Sequence, residues 1–195
     1  MTETTILLAR HGETEWNLRN RFQGHADEPL NDTGREQARA LAEALAAERL
    51  DAVYTSPLLR ARETAEIVAA SFGLAASTDP RLMEVDVGSW SGLTRDEIAA
   101  TFPDAYRRWQ HGLHGWEGGE TYEQLAIRVL EALRDIAGTH PAETVLVVGH
   151  GGTVRATLAH TDGMDVVAHR KVVGPAANCA VYRLGVKDGA FRRVD

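Results

Sequence analysis

Two histidines and two arginines follow apolar runs at three separate points in this sequence. Arg10 and His11 come directly after the first run, Arg60 lies a few residues after the second, and His150 directly follows the third. In open α/β sheets, ligands bind beyond the carboxyl ends of the strands. If the three runs are parallel strands, these four side chains meet at one edge of a sheet, where they suit the binding of a small anion.

Local features of Arg60 and His150 also favour an anion. Arg60 falls in the first turn of a predicted helix and off its apolar face, where the helix macrodipole disfavours a cation unless an anion is bound. His150 precedes a helix opened by Gly151 and Gly152, whose free N–H groups favour an anion. The alternative to anion binding is that Arg60 is a solvated surface residue and that His150 has a purely structural role.

The elements that must position these residues follow from hydrophobic periodicity. Continuous apolar runs typical of strands buried on both faces are 6–9, 52–55 and 144–148, and two further strands are predicted at 180–184 and 191–194. Amphipathic helical patterns lie between them, with capping boxes predicted at Thr33, Thr94 and Thr121. Buried strands that alternate with helices predict an α/β fold of three layers, αβα, around a mostly parallel central sheet.

The stretch 83–119 differs from the rest of the chain. It is rich in Trp and Gly and has shorter helical patterns, so we expect a helical insertion that covers the active-site edge of the sheet. Its tryptophans, Trp90, Trp109 and Trp116, either line a substrate pocket or pack in the core. The 195 residues are predicted to form a single domain, 1–195, that includes this insertion.

Composition excludes several classes of protein. The chain has a net charge of -7, which argues against binding of nucleic acid or a membrane surface through bulk positive charge. Its apolar runs are far shorter than the roughly 18 residues of a membrane helix, and its first residues lack a basic targeting segment. Its single cysteine, Cys179, forms no internal disulfide, so a cytoplasmic location is expected.

Other chemistries have weaker signals. His111 and His114 are spaced for a metal, but no carboxylate or cysteine completes a site, so we predict no metal. No arginine lies six residues after Cys179, which excludes the loop of a cysteine phosphatase, and the sequence has no Gly-Lys-Ser/Thr phosphate loop. The Gly149-x-Gly151 spacing is a weak match to a dinucleotide loop.

Eight motifs, in order along most of the chain, resemble those of a known family. They are 8–14 (LARHGET), Trp16-Asn17, Gln23-Gly24, 30–38 (LNDTGREQA), 56–61 (SPLLRA), Glu84 with Gly88-x-Trp90-x-Gly92, Gly118-Gly119-Glu120 and 148–151 (VGHG). Together they resemble the histidine phosphatase superfamily, in its phosphoglycerate-mutase-like branch.

The resemblance implies roles for the residues already singled out. His11 would attack phosphorus to form a phosphohistidine, which water then hydrolyses. Arg10, Arg60 and His150 would bind the equatorial phosphoryl oxygens. Neutral contacts to the phosphate or substrate would come from Asn17, Gln23, Gly24 and Gly151. No cofactor is implied, and the partner is a small phosphorylated metabolite.

The resemblance also places the general acid on Glu84, which would protonate the leaving oxygen and then deprotonate the attacking water. Without the family motif, Asp86 competes for this role, and a surface salt bridge is the alternative for Glu84.

Two family activities share the phosphohistidine. A phosphatase transfers the phosphoryl group to water, whereas a mutase must hold a bisphosphate and needs cations for its second charged end. The segment 85–88 carries an acid where the mutases have Arg-Tyr-Gly, and the insertion has no lysine, so the phosphatase is preferred. Arg107 and Arg108 are the best argument for a 2,3-bisphosphoglycerate-dependent phosphoglycerate mutase, and a solvated helix face is their alternative interpretation.

A third hypothesis is a non-catalytic module that binds a phosphorylated ligand. The presence of His11, Glu84 and His150 argues against it. The oligomeric state is not determined by the sequence, and a homodimer is left open.

Overall fold

A six-stranded sheet forms the centre of the computed structural model, which describes residues 2–194. The strands are β1 (Thr4–Arg10), β2 (Ala52–Thr55), β3 (Ala76–Thr78), β4 (Thr144–Gly149), β5 (Val181–Lys187) and β6 (Ala190–Arg193). Their order across the sheet is β3-β2-β4-β1-β5-β6. The pairs β3-β2, β2-β4 and β4-β1 are parallel, and β5 is antiparallel to both neighbours, which confirms the mostly parallel sheet.

Helices cover both faces of the sheet. They are α1 (Glu15–Leu18), α2 (Asp32–Ala44), α3 (Leu59–Ser71), α4 (Arg95–Thr101), α5 (Pro103–Gln110), α6 (Tyr122–Thr139), α7 (Gly151–Thr161) and α8 (Val166–Val172). Leu7 of β1 packs with α2 and α3, whereas Ile6 and Leu8 pack with α6 and α7. This alternation along one strand gives the predicted αβα layers, because successive strand side chains point to opposite faces.

One of the three predicted capping boxes is wrong. The capping boxes at Thr94 and Thr121 are present, but the box predicted at Thr33 is wrong. Helix α2 begins earlier, at Asp32, because the side chain of Asn31 accepts a hydrogen bond from the Gly34 N–H and caps the helix. None of the helices described over residues 2–194 is long and apolar enough to cross a membrane.

The segment 83–119 contains a 3₁₀ turn (Gly88–Trp90) and helices α4 and α5. Trp90 and Trp116 are buried in the core formed with α6, so packing is the correct interpretation for both. Trp109 packs edge-to-face against Trp90. It also lines a cavity that has His11 and Glu84 on its wall, which we call the main cavity. The division of the chain into one domain with an insertion stays a prediction.

Candidate active site

His11 and His150 lie side by side at the carboxyl ends of two neighbouring strands. β1 and β4 are parallel and pair Arg10 with Gly149, so the next residue of each strand is a histidine. The His11 N–H donates to the Gly149 carbonyl at 3.0 Å, and the two imidazole ring centres are 5.3 Å apart. Both side chains are buried.

Arg60 is completely buried, with 0% of its surface exposed, so the surface-arginine interpretation is wrong. Its Nη atoms donate to the carbonyls of Ala26 and Gly24 at 2.7 and 2.9 Å. Its Nε is buried and has no hydrogen-bond partner in the protein. Burial lowers the pKa of Arg60 to about 10, which still leaves it positive at neutral pH. The segment 24–26 therefore holds this cation in place without neutralising it.

Arg10 is arranged in the same way. It is half-buried, one Nη donates to the Ala176 carbonyl at 2.6 Å, and its buried Nε has no partner in the protein. Burial lowers the pKa of Arg10, and the carboxylate of Glu84 opposes that effect. Both arginines thus combine a backbone anchor with a spare N–H donor, and both act on the same two histidines electrostatically.

His11 is held in a form that suits nucleophilic attack. Burial lowers its pKa well below 6.5, and the charges of Arg60 and Arg10 lower it further. The ring is therefore neutral at pH 7. Its Nδ1 lies 2.6 Å from the Gly12 carbonyl, and because a carbonyl only accepts, Nδ1 carries the proton. The lone pair is then on Nε2.

His150 is the N-cap of α7, but its side chain makes no capping hydrogen bond. Both ring nitrogens are buried without a partner in the protein. Burial lowers its pKa well below 6.5, and Arg60 is the next largest cause. A neutral imidazole has one N–H, which His150 offers to a group next to His11.

Glu84 reaches the same cavity from the loop before the Gly88–Trp90 turn. Its carboxylate accepts hydrogen bonds from the Gly152 N–H at 3.0 Å and the Val85 N–H at 2.8 Å. A Cβ at Gly152 would lie 2.1 Å from Glu84 Oε1, so only glycine allows this approach. Arg128 donates to the carbonyls of Met83 and Glu84 and holds the loop.

Asp86, the alternative acid, does not line this cavity. Its carboxylate accepts from the Gly88 N–H at 3.0 Å, and its carbonyl accepts from the Glu120 N–H. Asp86 therefore stabilises the turn beside the site.

The other predicted contact residues all lie on the cavity wall: Asn17, Gln23, Gly24 and Gly151. The side-chain oxygen of Asn17 accepts from the Thr14 N–H at 3.2 Å and completes a capping box with Thr14, the N-cap of α1. Gln23 is buried, and its side-chain oxygen has no partner in the protein. Gly151 is in the first turn of α7. The cavity has a volume of about 660 Å³, which is enough for a small metabolite.

Sequence reasoning missed several cations on the wall of this cavity: Arg21, Arg95, Arg155, Arg170 and Lys171. A helical signal was available for one of them, since Arg155 is four residues after Gly151 and so shares its helix face. Arg170 and Lys171 belong to α8, whose position against the cavity has no local sequence signal.

The remaining candidates lie elsewhere. His111, Arg107 and Arg108 line a separate surface pocket, and His114 packs edge-to-face on Trp116. Residues 2–194 contain no group of three or more His, Cys, Asp or Glu arranged to hold a metal. Cys179 does not line the main cavity, and burial raises the pKa of its thiol to about 11.

The buried histidines predict a pH dependence of stability. His11 and His150 have pKa values lowered by burial, whereas in the unfolded chain they titrate near 6.5. Below pH 6.5 the unfolded chain therefore binds more protons, so stability is full above that pH and falls as the pH drops towards the folded-state pKa. Each histidine contributes a slope of at most about 1.4 kcal/mol per pH unit.

Urea unfolding at pH 7.5, 6.5 and 5.5 measures this slope above the range in which carboxylates titrate. We expect His150→Gln to make the slope shallower, whereas His111→Gln, an exposed histidine outside the cavity, keeps the wild-type slope. Equal slopes for all three proteins would contradict the prediction.

Comparison with known proteins identifies a family and several similar proteins named as phosphatases. The family model described as "Histidine phosphatase superfamily (branch 1)" matches residues 6–195. Phosphoserine phosphatase 1 of Hydrogenobacter thermophilus is 36% identical over 83% of this chain and 77% of its own length. A metal-independent phosphoserine phosphatase of Arabidopsis thaliana is 45% identical over 78% of this chain and 66% of its own. Proteins named as phosphoglycerate mutases also match.

The fold has solved counterparts. The structure of Bacillus stearothermophilus YhfR superposes with a TM-score of 0.89 at 36% sequence identity, and the match covers 97% of this chain and 95% of that one. The likeness therefore extends over the whole sheet and both helical layers.

Proposed function

Because this chain belongs to the histidine phosphatase superfamily and is a phosphatase of small phosphorylated metabolites, we propose that the residues around the 660 Å³ cavity carry the reaction. The proposal assigns the nucleophile to His11, the phosphate clamp to Arg10, Arg60 and His150, and proton transfer to Glu84.

In the first step, Nε2 of His11 attacks phosphorus in line with the ester oxygen. The new P–N bond forms as the P–O bond to the leaving group breaks, and Glu84 gives its proton to the departing oxygen. The arginine N–H groups and His150 bind the three equatorial oxygens, over which the transition state spreads its negative charge. The products are a free alcohol and phosphohistidine.

In the second step, water takes the position that the alcohol has left. The Glu84 carboxylate removes a proton from this water as its oxygen bonds to phosphorus and the P–N bond breaks. Inorganic phosphate is released, His11 returns to its neutral form, and Glu84 is again protonated for the next cycle. No metal takes part in either step.

One observation carries the proposal. The Nε atoms of Arg10 and Arg60 and both ring nitrogens of His150 are buried without partners in the protein, and all belong to residues grouped around His11. Buried polar groups are normally paired, because an unpaired one costs about 1–3 kcal/mol. A phosphoryl group has the charge and the acceptor oxygens to bind the two arginine Nε–H donors and the single N–H of a neutral His150 together.

The phosphoglycerate mutase has less support. Arg107 and Arg108, which favoured it in the sequence, are exposed on α5 outside the main cavity, and Arg107 forms an ion pair with Asp104. The cavity nevertheless has cations that the insertion does not provide, because α7 and α8 supply Arg155, Arg170 and Lys171 to its wall.

A substrate panel assayed with EDTA tests the proposal. We expect phosphate release from phosphoserine, phosphoglycerates and p-nitrophenyl phosphate, with rates unchanged by chelation. Phosphoserine comes first because two similar proteins are named phosphoserine phosphatases. Dependence on added metal would contradict the mechanism, and mutase turnover with 2,3-bisphosphoglycerate comparable to hydrolysis would replace the phosphatase by the mutase.

We further propose that the protein works in the cytoplasm, which its single cysteine supports because such a chain needs no oxidising compartment. Its partner in this proposal is the small phosphorylated metabolite, and its net charge of -7 argues against nucleic acid.

A further inference from the structure

A second pair of arginines lies on the cavity wall, apart from the proposed phosphate clamp. Arg155 projects from α7 and Arg170 from α8, and both side chains are half-buried. Arg155 is four residues after Gly151, which places it about 6 Å further along the helix axis on the same face. The wall of the cavity thus continues from the clamp to a second positive region.

These two arginines have no acidic partner. Among residues 2–194, no Asp or Glu comes within ion-pair distance of either guanidinium. Arg155 donates to the carbonyls of Val173 and Gly174 at 3.0 and 3.5 Å. Burial lowers the pKa of Arg155 and the charge of Arg170 lowers it further, whereas the more distant carboxylate of Glu84, outside ion-pair distance, opposes both effects. Both cations are therefore partly desolvated and close to a like charge.

Arg170 is held in place but keeps one N–H donor without a hydrogen-bond partner. Its guanidinium lies 4.2 Å from the ring centre of Trp109 and 5.8 Å from that of Tyr122, and one Nη donates to the Trp109 carbonyl. Its other Nη is buried and has no partner in the protein. Stacking on an aromatic ring fixes the guanidinium plane and leaves its edge free for a planar anion.

We propose that Arg155 and Arg170 form a subsite for a carboxylate of the substrate, so that the preferred ester is a small phosphorylated carboxylic acid. The inference rests on the proposed function, since it takes the phosphoryl group to lie at His11. A carboxylate offsets the repulsion between the two cations and accepts the spare N–H of Arg170. The contacts to backbone carbonyls hold both guanidinium groups ready, which lowers the entropic cost of binding.

A matched pair of substrates isolates the carboxylate. 3-Phosphoglycerate and glycerol 3-phosphate differ by the exchange of a carboxylate for a hydroxymethyl group at the end of the molecule. We expect the wild-type protein to favour 3-phosphoglycerate in kcat/KM by about tenfold or more, the range of a charge-assisted hydrogen-bond pair. In Arg155→Gln and in Arg170→Gln this ratio is expected to fall towards one, mainly through KM for 3-phosphoglycerate.

Three controls separate recognition from structural support. Arg107→Gln removes an exposed cation outside the cavity and should keep the wild-type ratio. Arg155→Lys keeps the charge but loses the fork of donors, so it should retain part of the preference. Thermal unfolding checks that each variant is folded. A structural role alone would lower the rates for both esters together and leave their ratio unchanged.

The possible outcomes distinguish failure of the carboxylate subsite from failure of the proposed phosphatase function. Hydrolysis of both esters with a ratio near one in the wild type, or a ratio unchanged in both Gln variants, overturns the carboxylate subsite and leaves the phosphatase intact. Absence of hydrolysis for every ester overturns the proposed function and this inference with it. Preference for fructose 1,6-bisphosphate over fructose 6-phosphate, lost in the same variants, would assign the subsite to a second phosphate and overturn the carboxylate.

Discussion

Replacement of His11 by alanine is expected to lower kcat/KM for every phosphomonoester by a factor of about 10³ or more, the range found when a covalent nucleophile is removed. His150, the neighbouring ring 5.3 Å away, is not expected to substitute for it, because it is buried after a different strand and does not occupy the position of His11. Rapid quenching of a single turnover should trap a phosphoryl group on the wild-type protein, stable in alkali and labile in acid. The His11→Ala protein should carry none.

His114→Ala is the matched control for this experiment. His114 is exposed and packs on Trp116 outside the main cavity, so its loss should leave turnover and trapping unchanged. Residual activity of His11→Ala above a few per cent, purified free of wild-type protein, would contradict a phosphohistidine at this position.

Replacement of Glu84 by glutamine is expected to slow the reaction by a factor that depends on the leaving group. An alkyl phosphate such as phosphoserine loses an alkoxide, which needs a proton, so kcat should fall by about 10²–10⁴-fold, the usual range for general acid catalysis. p-Nitrophenolate leaves without protonation, so formation of the phosphohistidine from p-nitrophenyl phosphate should change far less. A burst of p-nitrophenol followed by slow turnover is then expected, because Glu84 is also the proposed base for the water step.

Asp86→Asn tests the alternative acid under the same assays. Asp86 stabilises the turn through Gly88 and lies outside the cavity. Its replacement should therefore lower the rates for phosphoserine and p-nitrophenyl phosphate by a similar, small factor. A leaving-group dependence in Asp86→Asn and none in Glu84→Gln would reverse the assignment.

The sequence predicted the parts of the site that depend on strands and helix starts. Apolar runs located β1 and β4, and because parallel strands end at the same edge, His11 and His150 were expected to converge. The burial of Arg60 was not predictable from helical periodicity, which places it off the apolar face. It is buried because the loop at Gly24 and Ala26 folds over it, a contact between segments more than thirty residues apart.

The residues that position Glu84 were also not predictable from the sequence. Its placement depends on Arg128 of α6, which donates to the Glu84 carbonyl, and on the close approach of Gly152. Arg128 has no local pattern that singles it out, since an arginine on a helix is normally solvated, and the glycine pair at 151–152 predicted an anion site but not the approach of Glu84. Arg170 was missed for the same reason, because the packing of α8 beside α7 brings it to the cavity, whereas Arg155 had a signal in its spacing from Gly151.

The place of β1 in the sheet also bears on how the chain is synthesised. β1 emerges first among the strands, is apolar on both faces, and pairs with β4 and β5, which follow more than a hundred residues later. At about 5–20 residues per second, the ribosome needs on the order of ten seconds to supply these partners. Throughout that interval the nascent strand lacks both of the strands that it pairs with in the sheet. The proposed nucleophile is thus translated well before the strand beside it, since its N–H reaches the Gly149 carbonyl only after β4 has emerged.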